Sequence, residues 1–213
     1  MRGYPVQILF REYFEGILAA IFLALFLRFF IISVMYLPAQ AMEPTIEKGD
    51  FVLGWRVAYG FPLPLMKGER VNFKMPKRGD VISFRFPGDE EQLIVRRVVG
   101  LPGDSVQIVE GVLYLNGQPC SEPSLSSLWE ESLPEGRNYW IRPSRNENMP
   151  QVKVPQDSLF VLSDNRQKND DSRDWGMVSV KNLESRLSFI WLSLDTKSPD
   201  ARLRWNRIFS TIH

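Results

Sequence analysis

The sequence predicts a mainly β protein carried behind one N-terminal transmembrane helix, and three observations lead there. Residues 16–37, GILAAIFLALFLRFFIISVMYL, are an apolar run broken only by Arg28, long enough to cross a bilayer as a helix. Most of the chain beyond it is short β-branched and aromatic stretches divided by turn residues, the pattern of an antiparallel β domain. Two of those dividers, Glu110-Gly111 and Asn116-Gly117, flank VLYL, and such pairs favour tight hairpin turns. The expected organisation is a tail at 1–15, a span at 16–37 and a β domain at 38–213, large enough for a core of its own.

Taken in order, the span comes first. A secretory hydrophobic region is usually shorter and closer to the N-terminus, so the run is read as a retained anchor with Arg28 near its middle, where a charge is costly. Ala39-Gln40-Ala41 comes after it with the small-x-small pattern of a cleavage site, which leaves a cleaved leader ending at Ala41 as the alternative. Arg2 and Arg11 before the run nearly balance Lys48 and Arg56 after it, so charge does not orient the span.

VISFRF (81–86) alternates behind the turn KRGD, and LIVRRVVG (93–100) has the content of a buried strand. VQIVEGVLYLNGQP reads as a hairpin, while SLFVLSDN and RLSFIWLSL supply later strands. Residues 121–151 are polar and rich in Pro, Ser and Asn, so they are expected as an inserted excursion outside the core. Trp129, Trp140, Trp175 and Trp205 suit either the domain or a membrane interface, whereas Trp191 alternates within an apolar strand and is expected inside. GLPGD (100–104) lacks the spacing of a phosphate loop and is read as a turn.

Composition removes several chemistries. There are 26 basic and 25 acidic residues, for a net charge of +1, which gives no reason to expect nucleic acid. The one histidine is His213 and the one cysteine is Cys120. Zinc and iron–sulfur sites built from several such ligands are out of reach, as are a triad with an internal imidazole and an internal disulfide. Cys120, in NGQPC, is expected to be an incidental thiol. Hydrolysis would have to use a carboxylate, a lysine or a hydroxyl.

Three stretches, AMEPTIEKGDFVLG, PKRGDVISFRFPGDEEQLIVRRVVGLPGD and SDNRQKNDDSRDWGMV, together resemble bacterial type I signal peptidase (leader peptidase), the membrane-anchored serine–lysine protease that removes signal peptides. VAYG, GVLYLNGQP and the tail RLRWNRIFSTIH extend the likeness over about residues 16–213. The resemblance implies a single-pass protein of the bacterial cytoplasmic (inner) membrane, with residues 1–15 cytoplasmic and a signal-peptidase-like β domain on the outer face. It implies membrane lipid and signal peptides or exported preproteins as partners, with partner proteins in export a further expectation, and no cofactor or metal.

It also implies where the chemistry has changed. The residue before M-x-P-T, the family's nucleophilic serine, is Ala41, and the residue before R-x-x-G-L-P-G-D, its lysine base, is Arg96. Ala39 stands where many members carry an oxyanion-assisting hydroxyl, and Asn169 where a small or hydroxyl residue orients the lysine. The rest of the late box, Asp164, Asn165, Arg166, Asp171, Ser172 and Arg173, matches. By the same resemblance, an extended substrate would lie along Pro38, Gln40 and Met42 on one side and Leu93, Ile94 and Val95 on the other, with VISFRF walling its pockets.

Such a protease needs a buried lysine whose depressed pKa yields a neutral amine that can take the serine proton. Arginine, with an ordinary pKa above 12, does not supply that base, and alanine has no oxygen with which to attack. Thr45 is four residues from Ala41 with Pro44 between, Lys48 and Lys77 lie in turns, and Asp80 and Asp171 read as structural carboxylates. Three readings are left: an inactive membrane-anchored homologue that binds peptide or a partner, an active signal peptidase or an inactivated variant of one, and a secreted β domain released after Ala41.

Overall fold

The computed structural model describes residues 6–37, 40–62, 70–72, 74–168, 170–195 and 202–212. Pro38, Ala39 and Asn169 lie outside the described residues.

The chain begins with the α-helix Val6–Phe26, which passes into π-helical turns at Leu27–Ile31. From Arg11 to Ile31 this segment is apolar, with no part buried against the rest of the protein, and at 1.5 Å per residue it covers about 30 Å, the hydrocarbon thickness of a bilayer. The helix stops earlier than the sequence suggested. Ile32–Tyr36, read as the end of the span, is a β-strand in register with Asp50–Trp55, Ile32 opposite Trp55 and Tyr36 opposite Phe51. ISVMY is apolar in either state, and an edge strand to pair with decides between them. Arg28 consequently sits in the last turn, not at mid-span, where a long side chain can reach the interface.

The main sheet is antiparallel, with spatial order Ile32–Tyr36, Asp50–Trp55, Leu183–Asp195, Val81–Phe86, Asp89–Gly100, Ser158–Leu162, Val178–Ser179. Arg202–Leu203 pairs separately with the long Leu183–Asp195 strand. A second sheet has the order Met149–Lys153, Ser105–Val109, Val112–Leu115, Gln118–Pro119. Its two hairpin turns fall where the sequence placed them. Glu110 and Gly111 have φ of 49° and 81°, and Asn116 and Gly117 have 52° and 82°, the paired left-handed conformations of two-residue hairpins.

The polar stretch 121–151 is a correction. It carries the paired strands Trp129–Glu131 and Tyr139–Ile141, whose alternate residues Trp129, Tyr139 and Ile141 are buried in one core cluster with Val106, Leu113 and Phe160. Each strand is only three residues long and set among polar loop residues, so the average over 121–151 looks polar while the alternate inward residues are core. Trp129 is therefore internal, whereas Trp191, expected inside, is partly exposed against Phe51. Trp140 and Trp205 are exposed. Cys120 is buried, and desolvation raises its thiol pKa to about 12, so it is a poor nucleophile at neutral pH.

Two further clusters complete the core. One joins Ile82, Phe84, Ile94 and Val98 to Leu159 and Val161 inside the main sheet, and the other gathers Met42, Ile46, Val81, Val95, Leu187 and Ile212 beneath the 40–42 turn.

Candidate active site

The site is assembled by three segments: the 3-10 turn Gln40–Met42, the strand Asp89–Gly100, and the loop 163–173 with its short helix Ser172–Trp175. The turn is tied to the loop through its backbone. Asn165 N donates to the Ala41 carbonyl at 2.9 Å, and Asn165 Nδ2 donates to the Gln40 carbonyl at 3.2 Å. Ala41 is 5% exposed and Met42 is fully enclosed, so the Met42 side chain belongs to the core beneath the turn while Gln40 stays at the surface. Among the described residues, buried Asn165 Oδ1 has no hydrogen-bond partner, which leaves an acceptor beside Ala41.

Two consecutive arginines define the strand's contribution. Arg97 is fully buried and forked onto Asp164, Nε to Oδ1 at 2.8 Å and Nη2 to Oδ2 at 2.6 Å. It also donates to the Gly79 carbonyl and lies over the Tyr139 ring, while Thr45 donates its hydroxyl to Asp164. Burial alone would lower the Arg97 pKa; the Asp164 carboxylate outweighs it and holds the pKa above the ordinary value.

Arg96 points elsewhere. It is 4% exposed and donates from Nε to the Asp170 carbonyl at 2.6 Å, from Nη2 to Asp170 Oδ2 at 2.7 Å, and from Nη1 to the Val95 carbonyl at 2.5 Å. Burial lowers its pKa, only partly offset by Asp170 and Asp171. That is the direction a base needs, but a guanidinium begins too high for it to matter near neutral pH.

The contact with Val95 falls on an open backbone edge. Val98 exchanges hydrogen bonds with Gly79 and Asp80, so its peptide groups face the Val81–Phe86 side. Two-residue alternation turns Arg96 the same way, and Leu93, Val95 and Arg97 the opposite way. On that opposite side the pairing with Ser158–Leu162 ends at Arg97. Leu93 and Val95 therefore present peptide groups to an edge that no described strand covers, and the Arg96 guanidinium occupies one of the carbonyls there. Leu93 is exposed, while the side chains of Ile94 and Val95 enter the two core clusters.

The loop is braced by its own ion pairs. Asp171 caps the short helix, accepts from Ser163 N at 2.9 Å and pairs with Arg173. Burial would raise its pKa, but the Arg173 bonds and charge and the backbone donors hold it below the carboxylate range. Arg173 continues to Glu147, Arg166 pairs with buried Glu131, and Ser172 Oγ accepts from Val161 N. Sequence reasoning missed Glu131 and Asp170. The first sits in the stretch read as an excursion, and the second adjoins Asn169, which the resemblance suggested as an orienting position, but had no partner to suggest it. Asp80 is the turn residue expected, accepting from Tyr59 Oη and Lys77 N, as is Asp104 in GLPGD, which accepts from Leu101 N.

Comparison with known proteins places this arrangement. The chain is 32% identical over 210 residues to Signal peptidase I of Pseudomonas aeruginosa, covering 85% of this chain and 72% of that protein. It is 34% identical over 206 residues to Signal peptidase I of Pseudomonas fluorescens, with the same two coverages. With Signal peptidase I of Rickettsia felis it shares 32% identity over 201 residues, covering 80% of this chain and 75% of that one. A family model described as "Signal peptidase, peptidase S26" matches residues 10–192, from within the N-terminal helix into the long strand Leu183–Asp195 and across every segment of the site, so the chain belongs to the signal peptidase S26 family.

Proposed function

We propose that this chain is a single-pass homologue of signal peptidase I, held in the bacterial cytoplasmic membrane with its β domain on the outer face, which no longer cleaves peptides and retains a groove for signal peptides or exported preproteins. One observation supports the reading: Arg96, which motif likeness aligns with the family's base, is fixed by Asp170 and Val95, and Ala41, which the same likeness aligns with the nucleophile, carries no hydroxyl. Loss of either partner of a dyad leaves only the roughly 10³–10⁴-fold acceleration of positioning and oxyanion contacts, which for a peptide bond amounts to no useful turnover.

Binding is supported by the open edge at Leu93 and Val95, where an extended peptide can add as a strand, and by the orphan acceptor Asn165 Oδ1. Release of a secreted domain by cleavage after Ala41 is opposed by the burial of Ala41 and Met42, because a protease requires that bond extended and accessible. The active-enzyme reading rests on family membership, and Thr45, the hydroxyl residue that follows Ala41 most closely in sequence, is engaged with Asp164.

The test is preprotein cleavage in detergent by the unaltered chain and by its Ala41→Ser/Arg96→Lys double variant. An inert parent with a cutting variant supports an intact groove lacking only its dyad. Cleavage by the parent overturns the proposal. If neither cuts, the groove has diverged and peptide binding there loses its support.

A further inference from the structure

The open edge at Leu93 and Val95 is closed in part by the strand's own side chain. A bare sheet edge pairs readily with other strands, and charged side chains laid against it are a recurrent protection. Here Arg96 donates from Nη1 to the Val95 carbonyl at 2.5 Å, which fills an acceptor that an added strand would use. Asp170 sets the direction of that bond. Its backbone carbonyl takes Arg96 Nε at 2.6 Å and its Oδ2 takes Nη2 at 2.7 Å. A guanidinium is planar and rigid, so holding Nε and Nη2 from the loop aims Nη1 at the strand. Asp171 does not share the task, since its carboxylate is committed to Arg173 and Ser163 N.

The contact is poised to open. The Arg96 side chain is 4% exposed, but the carboxylate that holds it is 62% exposed and stays solvated if the two part. Burial lowers the Arg96 pKa in spite of Asp170 and Asp171, which means that the charged guanidinium is less favourably placed here than in water. Leaving the edge therefore returns solvation to Arg96, and a peptide N–H can replace Nη1 on the Val95 carbonyl.

We propose that Arg96 is an autoinhibitory latch on the peptide groove and that Asp170 is the positioning residue that keeps it shut. This rests on the peptide-binding reading given above and adds the regulation of that same site. Closed, the guanidinium caps Val95; open, it turns to solvent and the edge is free to pair. Peptide binds the open form, so its apparent affinity is reduced by the fraction of molecules that are open. Strands that make too few contacts to displace the latch are turned away, which gives selectivity to an edge whose backbone pairing is otherwise indifferent to sequence.

The test uses the full chain in detergent with two readouts. Without peptide, modification of Arg96 by phenylglyoxal is followed by mass spectrometry. It should be slow in the parent, roughly tenfold faster in Asp170→Ala as expected for loss of one charge-assisted bond, and slow again in Asp170→Glu, which keeps the carboxylate. With a fluorescent, amide-ended signal peptide, anisotropy should show Asp170→Ala binding roughly three- to tenfold more tightly than the parent. Arg96→Ala/Asp170→Ala should bind no more tightly than Arg96→Ala alone, because a latch is removed only once. A damaged loop would weaken binding, so a gain separates positioning from structural support. Unchanged Arg96 reactivity in Asp170→Ala overturns the proposal. So do additive effects of the two substitutions, or peptide binding that Asp170→Ala leaves unchanged or weakens while Arg96→Ala strengthens it. If Arg96 becomes reactive in Asp170→Ala and peptide binds none of the variants, the positioning by Asp170 is upheld and the peptide reading of the groove is what fails.

Discussion

Arg96 and Arg97 are neighbours on one strand, both buried, and they belong to different regions of the molecule. Arg97 faces the interior over the ring of Tyr139, a member of the core cluster that holds Trp129 and Ile141, and its partner Asp164 is as enclosed as itself, each at 0% exposure. Arg96 reaches the open edge, and its partner Asp170 is 62% exposed. The pKa directions differ accordingly: Asp164 carries Arg97 above its ordinary value against burial, while Arg96, with a solvated partner, is lowered by burial. A buried arginine matched inside the core is part of what sets the fold, whereas one matched at the rim fills a position whose chemistry can change without unfolding the protein.

The largest effect expected is on the interior side. Asp164→Ala leaves a fully buried guanidinium unpaired, which costs about 3–5 kcal/mol, read as a lowered midpoint in urea denaturation of the detergent-solubilised chain. An Arg97→Met/Asp164→Leu double variant should lose much less than Asp164→Ala, because replacing both charges by apolar groups removes the desolvation penalty together with the attraction. Equal losses in the two variants would mean that the pair is not the source of the effect.

The edge side should respond in binding more than in stability. Arg96→Ala frees the Val95 carbonyl for an incoming peptide N–H and leaves Asp170 in water, so stability should fall by about 1 kcal/mol or less. Signal-peptide affinity, measured by fluorescence anisotropy, should rise by roughly tenfold, the worth of one regained hydrogen bond. Weaker binding in Arg96→Ala would turn the comparison around and make the guanidinium a contact for peptide instead of an obstacle to it.

The contrast also marks what was legible in the residues. Strand 81–86 and both hairpin turns could be read because alternation and left-handed turn pairs are local. The end of the helix at Ile31 could not, since ISVMY becomes a strand only through its pairing with Asp50–Trp55. The core role of 129–141 was hidden because three-residue strands show too little period to detect. At the site, motif likeness singled out Arg96 and Asp164. Their partners were not legible, because the Arg97–Asp164 fork spans 67 positions and the Arg96–Asp170 pair spans 74, and sequence spacing does not encode such contacts.

The smallest effect expected comes from acid, and it extends the comparison to the carboxylates. Asp171, beneath the Arg96 side of the loop, and Asp104 and Asp50 elsewhere in the domain all have pKa values lowered below the ordinary 3.8, burial being outweighed in each case by arginine and hydrogen-bond donors. A depressed folded pKa contributes stability that is fully present above the unfolded value and is lost as pH falls through the folded one. These groups therefore predict a urea midpoint that changes little between pH 7 and about pH 5 and declines below about pH 4. Asp171→Asn should be less stable than the parent at pH 7, since Arg173 loses a buried ionic partner, and the gap should narrow as acid removes the parent's advantage. A midpoint falling as steeply from pH 7 to 5 as below pH 4 would place the sensitive group elsewhere than these aspartates, and a gap that stayed constant would show that Asp171 braces the loop by shape and not by charge.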